Sequence, residues 1–145
     1  MYFVDREKVE HTLHFLENEL DVFLRIKDLN DPFQKAALER SVHMMIDALL
    51  DVGNAIIDGF IMRDPGSYDD IIDILLDEQV ISEQCAKDFK SAIPFRRELV
   101  QNYLEIDHEQ ILKNMTVLFP SFRQFPEKVR RYLENELGPV SAFKK

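Results

Sequence analysis

One nine-residue segment concentrates side chains whose types and spacing could do chemistry. It reads Phe-Arg-Arg-Glu-Leu-Val-Gln-Asn-Tyr over residues 95–103. It holds two guanidinium groups, two amides and a phenol: Arg96, Arg97, Gln101, Asn102 and Tyr103. Guanidinium groups donate hydrogen bonds in a fork that matches carboxylate and phosphate oxygens. The segment is the first candidate for a functional site because the chain has only 18 Lys and Arg against 27 Asp and Glu.

Helical spacing predicts that these side chains divide between two faces. At about 100° per residue, Arg96 and Tyr103 lie about 20° apart. Arg97, Gln101 and His108 share a different face. Arg96 and Gln101 diverge by about 140° on a straight helix, so they could meet only through a bend, through the reach of the arginine, or across a two-fold axis. The last option predicts a composite site between two subunits.

The same segment also has a purely structural interpretation. Tyr103 would then be a core side chain whose hydroxyl reaches a polar edge. Arg96 and Arg97 would pair with carboxylates of the acidic body. Residue types within this segment do not decide between the two interpretations.

Metal ligation has little support in the sequence. His11, His14 and Glu17 follow an i, i+3, i+6 spacing, and Glu39 and His43 follow i, i+4. Neither set contains the Glu-x-x-His pair that di-metal helical bundles use. We therefore expect surface or half-buried histidines, with no metal ion and no other cofactor.

Composition excludes several classes of protein. A chain of 145 residues predicts one domain over residues 1–145, and 46% hydrophobic residues suffice for a packed core. No uncharged run approaches the ~18 residues of a membrane span, and the first residues do not resemble a signal peptide. We expect a cytoplasmic protein that does not contact membranes. The single cysteine, Cys85, is predicted to be a small core residue.

Charge is unevenly distributed along the chain. The net charge of −9 argues against non-specific nucleic-acid binding, which needs a basic surface. Residues 120–145 nevertheless carry six basic and three acidic side chains, so a small basic zone is expected there. The acidic run over residues 64–78 is interpreted as a solvated helix face rather than a cation site or a nucleic-acid mimic.

Apolar periodicity predicts an all-α protein, an antiparallel helical bundle built on two long core helices. Asp5 caps the first helix. Its apolar stripe is Val9, Leu13, Leu16, Leu20 and Phe23. Pro32 opens a second helix that runs to about Met62. Gly53 inside that helix predicts close contact with another helix, and the long repeat suits a bundle within one chain or one shared by two chains.

Shorter helices are predicted to position the candidate segment. Ser67 caps a third helix, and Ser82 caps a fourth that runs through Phe89. Pro94 opens a fifth helix, which carries the candidate residues.

Two continuations of the fifth helix are open. Asp107 could cap a new helix, or the fifth helix could bend and continue to Phe119, where Pro120 ends it. A last helix is predicted over residues 126–137, ended by Gly138.

The candidate segment resembles the signature of HepT-like proteins, within the HEPN superfamily of helical ribonucleases. That signature is Arg-Asn-x-Leu-Val-His-x-Tyr, commonly followed by Ile-Asp. This chain has Arg-Arg-Glu-Leu-Val-Gln-Asn-Tyr over residues 96–103 and Ile-Asp at 106–107. The order of other elements is also similar, with Val-Asp-Arg-Glu at 4–7, Glu-Arg at 39–40, Ile-Ile at 56–57, Tyr-Asp-Asp at 68–70 and Val-Ile-Ser at 80–82. The resemblance covers about residues 4–120.

The resemblance implies a homodimer of helical bundles that acts as a toxin. Such proteins cleave RNA without metal and pair with a nucleotidyltransferase-like antitoxin. By position, Arg96 would hold the scissile phosphate and stabilise its transition state. Arg97 and Asn102 would add RNA contacts. Tyr103 would be the residue that the antitoxin modifies with AMP.

Two positions depart from the signature. Gln101 stands where the family has the proton-transferring His, and Arg97 stands where it has Asn. Gln101 can position RNA or a water, but an amide does not titrate near neutral pH. Proton transfer contributes about 10²–10⁴-fold, so its loss is expected to be severe unless His108 replaces it. Two functions stay open: an RNase toxin with an altered site, and a catalytically impaired dimer that binds a protein or nucleotide.

Overall fold

The computed structural model describes residues 3–138. All of the regular secondary structure in this range is helical. Helix α1 spans Arg6–Leu24, α2 Pro32–Gly59, α3 Tyr68–Asp77 and α4 Glu83–Gln101. A 3₁₀ turn over Tyr103–Glu105 then leads into α5, His108–Leu137. The predicted all-α bundle is confirmed, and its two longest helices are α2 and α5.

Side-chain caps set the start of every α-helix. Ser67 Oγ accepts a hydrogen bond from Asp70 N at 3.1 Å, and Ser82 Oγ accepts one from Cys85 N at 3.2 Å. Carboxylates do the same at the other three starts, where Asp5, Asp31 and Asp107 are the caps. Each cap satisfies a backbone N–H that the helix itself cannot pair. The predicted starts at Asp5, Ser67 and Ser82 are confirmed.

The core lies between α1, α2 and the three helices packed against them. The whole predicted stripe of α1 is buried: Val9, Leu13, Leu16, Leu20 and Phe23. Seven residues join α1 to α2, so the two helices form an antiparallel hairpin. Gly53 lies where α3 crosses α2, because a Cβ there would stand 2.7 Å from Ile71 Cγ2. The close contact predicted from Gly53 is confirmed.

Three prolines do not mark helix boundaries as the sequence predicted. Pro94 lies inside α4, so the separate fourth and fifth helices are one helix. Pro120 and Pro126 both lie inside α5, so the predicted end at 120 and the separate last helix are wrong. A proline removes one backbone hydrogen bond and crowds the preceding turn. Burial of Phe119, Phe122 and other apolar side chains along α5 offsets that cost.

Helix α4 ends at Gln101, which decides where the candidate residues point. Asn102 leaves helical geometry at φ −105° and ψ 38°, and its N–H still donates to Glu98 O. Asp107 Oδ1 then accepts from Gln110 N at 3.1 Å and starts α5. Of the two continuations left open by the sequence, the new helix is the observed one.

Candidate functional site

Four of the predicted site residues line one open cleft at the C-terminal end of α4. They are Arg97, Gln101, Asn102 and Tyr103, and the cleft has a volume of about 620 Å³. Pro94 and Glu98 complete its helical wall, and Leu104 and Glu105 of the 3₁₀ turn close the other side. The predicted shared face of Arg97 and Gln101 is confirmed.

Side chains in this cleft are free to meet a ligand. The Tyr103 side chain is 64% exposed, so its alternative interpretation as a core residue is wrong. Within residues 3–138, no hydrogen bond or ion pair is made by the side chains of Arg97, Gln101 and Asn102. Tyr103 is exposed because the helix ends two residues before it, which lifts its ring off the bundle.

Arg96 does not line the cleft but points to the opposite side of α4, toward α2 and α3. Its Nε donates to Asp47 Oδ1 at 2.6 Å, and its guanidinium carbon lies 5.2 Å from the ring centroid of Tyr68. The prediction that Arg96 and Tyr103 share a face is wrong, because Tyr103 is beyond the end of the helix. The predicted ion pair with the acidic body is found for Arg96 but not for Arg97.

Asp47 also contacts His43, for which the sequence predicted no role in a reaction. The second carboxylate oxygen of Asp47 lies 3.0 Å from His43 Nε2. The hydrogen bond to Asp47, opposed by burial, raises the pKa of Arg96 above its ordinary value. Burial, followed by the neighbouring charge of Asp47, raises the pKa of Asp51. The result is a cluster of one cation, two acids and one imidazole beside Tyr68, in which Arg96, Asp47 and His43 are half-buried and Asp51 is exposed.

A repeat of polar residues on α2 could have revealed this cluster. Glu39, His43, Asp47 and Asp51 follow one another at four-residue steps along α2. Residues four apart are neighbours on one side of a helix. Glu39 and His43 were noticed only as metal-ligand candidates, and Asp47 and Tyr68 were missed.

His108 lies away from the cleft, in contact with α2. Its Nε2 is 2.7 Å from Glu39 Oε2, and its side chain is 17% exposed. The prediction that His108 shares a face with Arg97 and Gln101 is wrong, because Asp107 caps a new helix between them. His108 joins the end of the α4–α5 connection to the first turns of α2.

His14, one of the two histidine candidates on α1, belongs to a structural network. His14 lies within 3.5 Å of both Glu10 and Glu17, and those two carboxylates hold Arg130 of α5. Nowhere between residues 3 and 138 do three potential metal-ligating side chains form a group that could hold an ion. Cys85 is buried, as predicted for a small core residue.

Charge around the cleft is weakly acidic rather than basic. Arg97 is accompanied by the carboxylates of Glu98 and Glu105. The basic zone expected over 120–145 is partly neutralised, because Arg130 pairs with two glutamates of α1 and Arg131 with Glu127. The part of that zone beyond residue 138 lies outside the described residues.

Sequence comparison assigns the family. The sequence model of the HepT-like ribonucleases matches residues 9–129, which is most of the chain. The protein therefore belongs to the HepT-like ribonuclease family, as its helical bundle and its α4 segment indicate. In the helices described between residues 3 and 138, none is long and apolar enough to cross a bilayer.

Known relatives agree with this assignment. A Bacillus subtilis protein named "Putative RNase YutE" is 49% identical over 144 residues, covering 99% of this chain and 100% of that protein. A solved structure of YutE, described as a cytosolic protein of unknown function, superposes with a TM-score of 0.94 at 48% identity, covering 99% and 100% of the two chains. A tri-AMPylated HEPN toxin of Shewanella oneidensis in complex with an MNT antitoxin gives a TM-score of 0.76 at 14% identity, covering 85% and 96%. That last likeness is one of fold.

Proposed function

We propose that this protein is a metal-independent endoribonuclease of a toxin–antitoxin pair. The observation that carries the proposal is the open cleft, where Arg97, Gln101, Asn102 and Tyr103 present unpaired polar groups beside one another. The family assignment supplies RNA as the substrate class. Because the cleft is not strongly basic, RNA would be held by specific hydrogen bonds rather than by bulk charge.

Arg96 would bind the scissile phosphate. Its contact with Asp47 uses only the Nε hydrogen, whereas a guanidinium has five N–H donors. The Nη groups can therefore donate to phosphate oxygens and stabilise the charge that develops in the transition state. Gln101 would orient RNA or a water, and Arg97 and Asn102 would contact the flanking backbone.

A homodimer would bring the two halves of the site together. In one subunit Arg96 lies on the opposite side of α4 from the cleft, so Arg96 of a second copy would complete it. The apolar side chains of Val100, Tyr103 and Leu104 are exposed at this end of α4, Leu104 to 86%. Light scattering should give twice the chain mass, and Leu104→Glu should shift the protein toward monomer. A wild-type monomer at all concentrations would contradict the dimer.

A nucleotidyltransferase-like antitoxin would be the partner and Tyr103 its target. The tri-AMPylated toxin named above is bound to an MNT antitoxin. Tyr103 is the exposed phenol of the cleft, so a transferase could reach its hydroxyl. AMP at that position would occupy the cleft and block RNA. The cytoplasm is the proposed location, where RNA and such a partner would both be present.

Cleavage of RNA by the purified protein in excess EDTA tests the activity. Wild-type protein should cut a structured RNA, and Arg96→Ala should lower the rate by about 10²–10³-fold, as for other transition-state donors. Arg40→Ala, which removes an exposed arginine of α2, is the matched control and should keep full activity. Equal background from wild type and Arg96→Ala would reject the ribonuclease.

One specific observation favours a second candidate function, a catalytically impaired dimer that binds a protein or nucleotide. The cleft holds Gln101 in place of the family histidine, and its single guanidinium is outnumbered by two carboxylates. Titration calorimetry with AMP, ATP and a short RNA separates the candidates. Binding without cleavage supports this second function, whereas cleavage dependent on Arg96 supports the first.

A further inference from the structure

We propose that His43 is the proton-transferring residue of this ribonuclease, taking the role that Gln101 cannot perform. The inference rests on the proposed function and concerns the same phosphate that Arg96 would hold. His43 and Arg96 are joined through one carboxylate: His43 Nε2 is 3.0 Å from Asp47 Oδ2, and Arg96 Nε is 2.6 Å from Asp47 Oδ1. The imidazole of His43 on α2 therefore lies near the guanidinium of Arg96 on α4, which would bind the phosphate.

The other histidines do not have this relationship to Arg96. His14 belongs to the Glu10–Glu17–Arg130 network of α1 and α5. His108 is turned to Glu39 and is more enclosed. No contact joins His11 to any part of the cluster within residues 3–138. His43, Asp47 and Arg96 all have side chains between 25% and 29% exposed, so the cluster is sheltered yet open to a ligand.

The geometry has the form of an oriented base. Nε2 of the imidazole lies 3.0 Å from Asp47 Oδ2, which places the ring beside this carboxylate, and Nδ1 has no partner among the described residues. A base whose second nitrogen is held by a carboxylate is the usual arrangement for activating a hydroxyl nucleophile. Asp47 would be a positioning residue, since it acts through both His43 and Arg96.

The proposed cleavage needs only His43, Arg96 and a water molecule, and no metal ion. Nδ1 of His43 accepts the proton of a ribose 2′-hydroxyl, and the oxygen forms a bond to the adjacent phosphorus. The bond from phosphorus to the 5′ oxygen breaks, and that oxygen takes a proton from water. His43 then returns its proton to the hydroxide formed. The products are a 2′,3′-cyclic phosphate and a 5′-hydroxyl end, with Arg96 stabilising the charged transition state.

The rate should rise with pH, because His43 must be unprotonated to accept the proton of the 2′-hydroxyl. The titratable groups on the helices around this cluster are Lys8 of α1, Glu39, Asp47 and Asp51 of α2, Tyr68 of α3, Arg96 of α4 and His108 of α5. Only His43 and His108 carry imidazoles, so removing each in turn separates their contributions to the pH profile.

Single-turnover cleavage of an RNA oligonucleotide in EDTA tests the inference. His43→Ala should lower the rate by about 10²–10⁴-fold and remove the rise with pH. Added imidazole should partly restore it. His43→Gln, which keeps a hydrogen-bonding group beside Asp47, should show the same loss with a folded protein. His14→Ala is the matched control and should cleave like wild type.

The possible outcomes are distinct. If wild-type protein does not cleave RNA, the proposed function fails and this inference fails with it. If wild type cleaves and depends on Arg96 but His43→Gln keeps its rate and pH profile, only the role of His43 is overturned. If His108→Ala rather than His43→Gln removes the rise with pH, His108 is the proton-transferring group and the inference is wrong.

Discussion

Arg96 and Asp47 are 49 residues apart in sequence, yet Arg96 Nε donates to Asp47 Oδ1 at 2.6 Å. This contact means that the most important candidate residue of α4 is held by α2. It fixes the guanidinium over the Tyr68 ring and presents its remaining N–H groups on one side. A phosphate ligand would find an oriented cation, so less conformational entropy would be lost on binding.

RNA cleavage should therefore depend on the planar shape of the Arg96 guanidinium as well as on its charge. Arg96→Lys keeps the charge but loses the planar fork and the stacking on Tyr68. We expect RNA cleavage to fall about 10- to 100-fold. The free energy of unfolding should change by about 1 kcal/mol or less, because the pair is partly exposed. Cleavage assays and urea denaturation measure both. Arg40→Lys should change neither, and full activity of Arg96→Lys would show that only charge is used.

Gln101→His restores the family residue at the cleft. An imidazole there could give a proton to the leaving 5′ oxygen, which otherwise takes it from water. We expect cleavage to increase about tenfold or more, measured under single-turnover conditions. Gln101→Asn, which stays an amide, should give no gain. If Gln101→His also gives none, position 101 does not approach the reacting phosphate, and the binding-module function gains support.

Tyr103→Phe should prevent modification of the protein. Incubation with ATP and a nucleotidyltransferase-like partner should add AMP to wild type and to Tyr68→Phe but not to Tyr103→Phe, as read by intact-mass spectrometry. The free energy of unfolding should change by less than about 0.5 kcal/mol, because the ring is exposed. Equal AMP incorporation into Tyr103→Phe would place the modification elsewhere.

Gly53→Ala tests the contact between α2 and α3. The added methyl would meet Ile71 Cγ2 at 2.7 Å and Leu75 Cδ1 at 3.3 Å. Overpacking costs about 1–3 kcal/mol, and the better helix propensity of Ala returns up to about 1 kcal/mol. We expect a net loss of about 1 kcal/mol in urea denaturation. Asn54→Ala, at the next and exposed position, should be nearly neutral. If Gly53→Ala were more stable than wild type, the side chains of α3 would move away from the added methyl with no loss of packing energy.

Arg130→Met tests the network between α1 and α5. Hydrogen bonds from Arg130 lower the pKa of both Glu10 and Glu17 below the ordinary 4.5. Lowered folded-state pKa values stabilise the protein above about pH 4.5, and this stabilisation is lost as pH falls through them. The cost of Arg130→Met should be about 1 kcal/mol at pH 7 and should become smaller as pH falls below about 4.5.

Urea denaturation at several pH values measures this difference. Arg131→Met is the control, because its pair with Glu127 is largely exposed and should contribute little at any pH. A cost for Arg130→Met that does not change with pH would show that the arginine stabilises through packing alone.

Local signals in the sequence predicted most helix starts correctly. The side chains of Ser82 and Asp107 each accept a hydrogen bond from a backbone N–H three residues later. Such a cap depends only on neighbouring residues, so it can be predicted from the local sequence. The effect of the prolines on the helices was predicted wrongly because it depends on contacts that are distant in sequence. Pro120 is tolerated because apolar burial along α5 offsets its local cost, and that burial comes from other helices.

The sequence by itself determined the all-α class, the buried stripe of α1, the close approach at Gly53 and the family that the α4 segment indicates. Only the tertiary structure decided that Arg96 faces Asp47 and His43 while Gln101 faces the cleft. The reason is physical: spacing along a helix gives the relative angles of its side chains, but packing sets the rotation of that helix against its neighbours. The end of α4 at Gln101 likewise decided that Tyr103 stands in solvent.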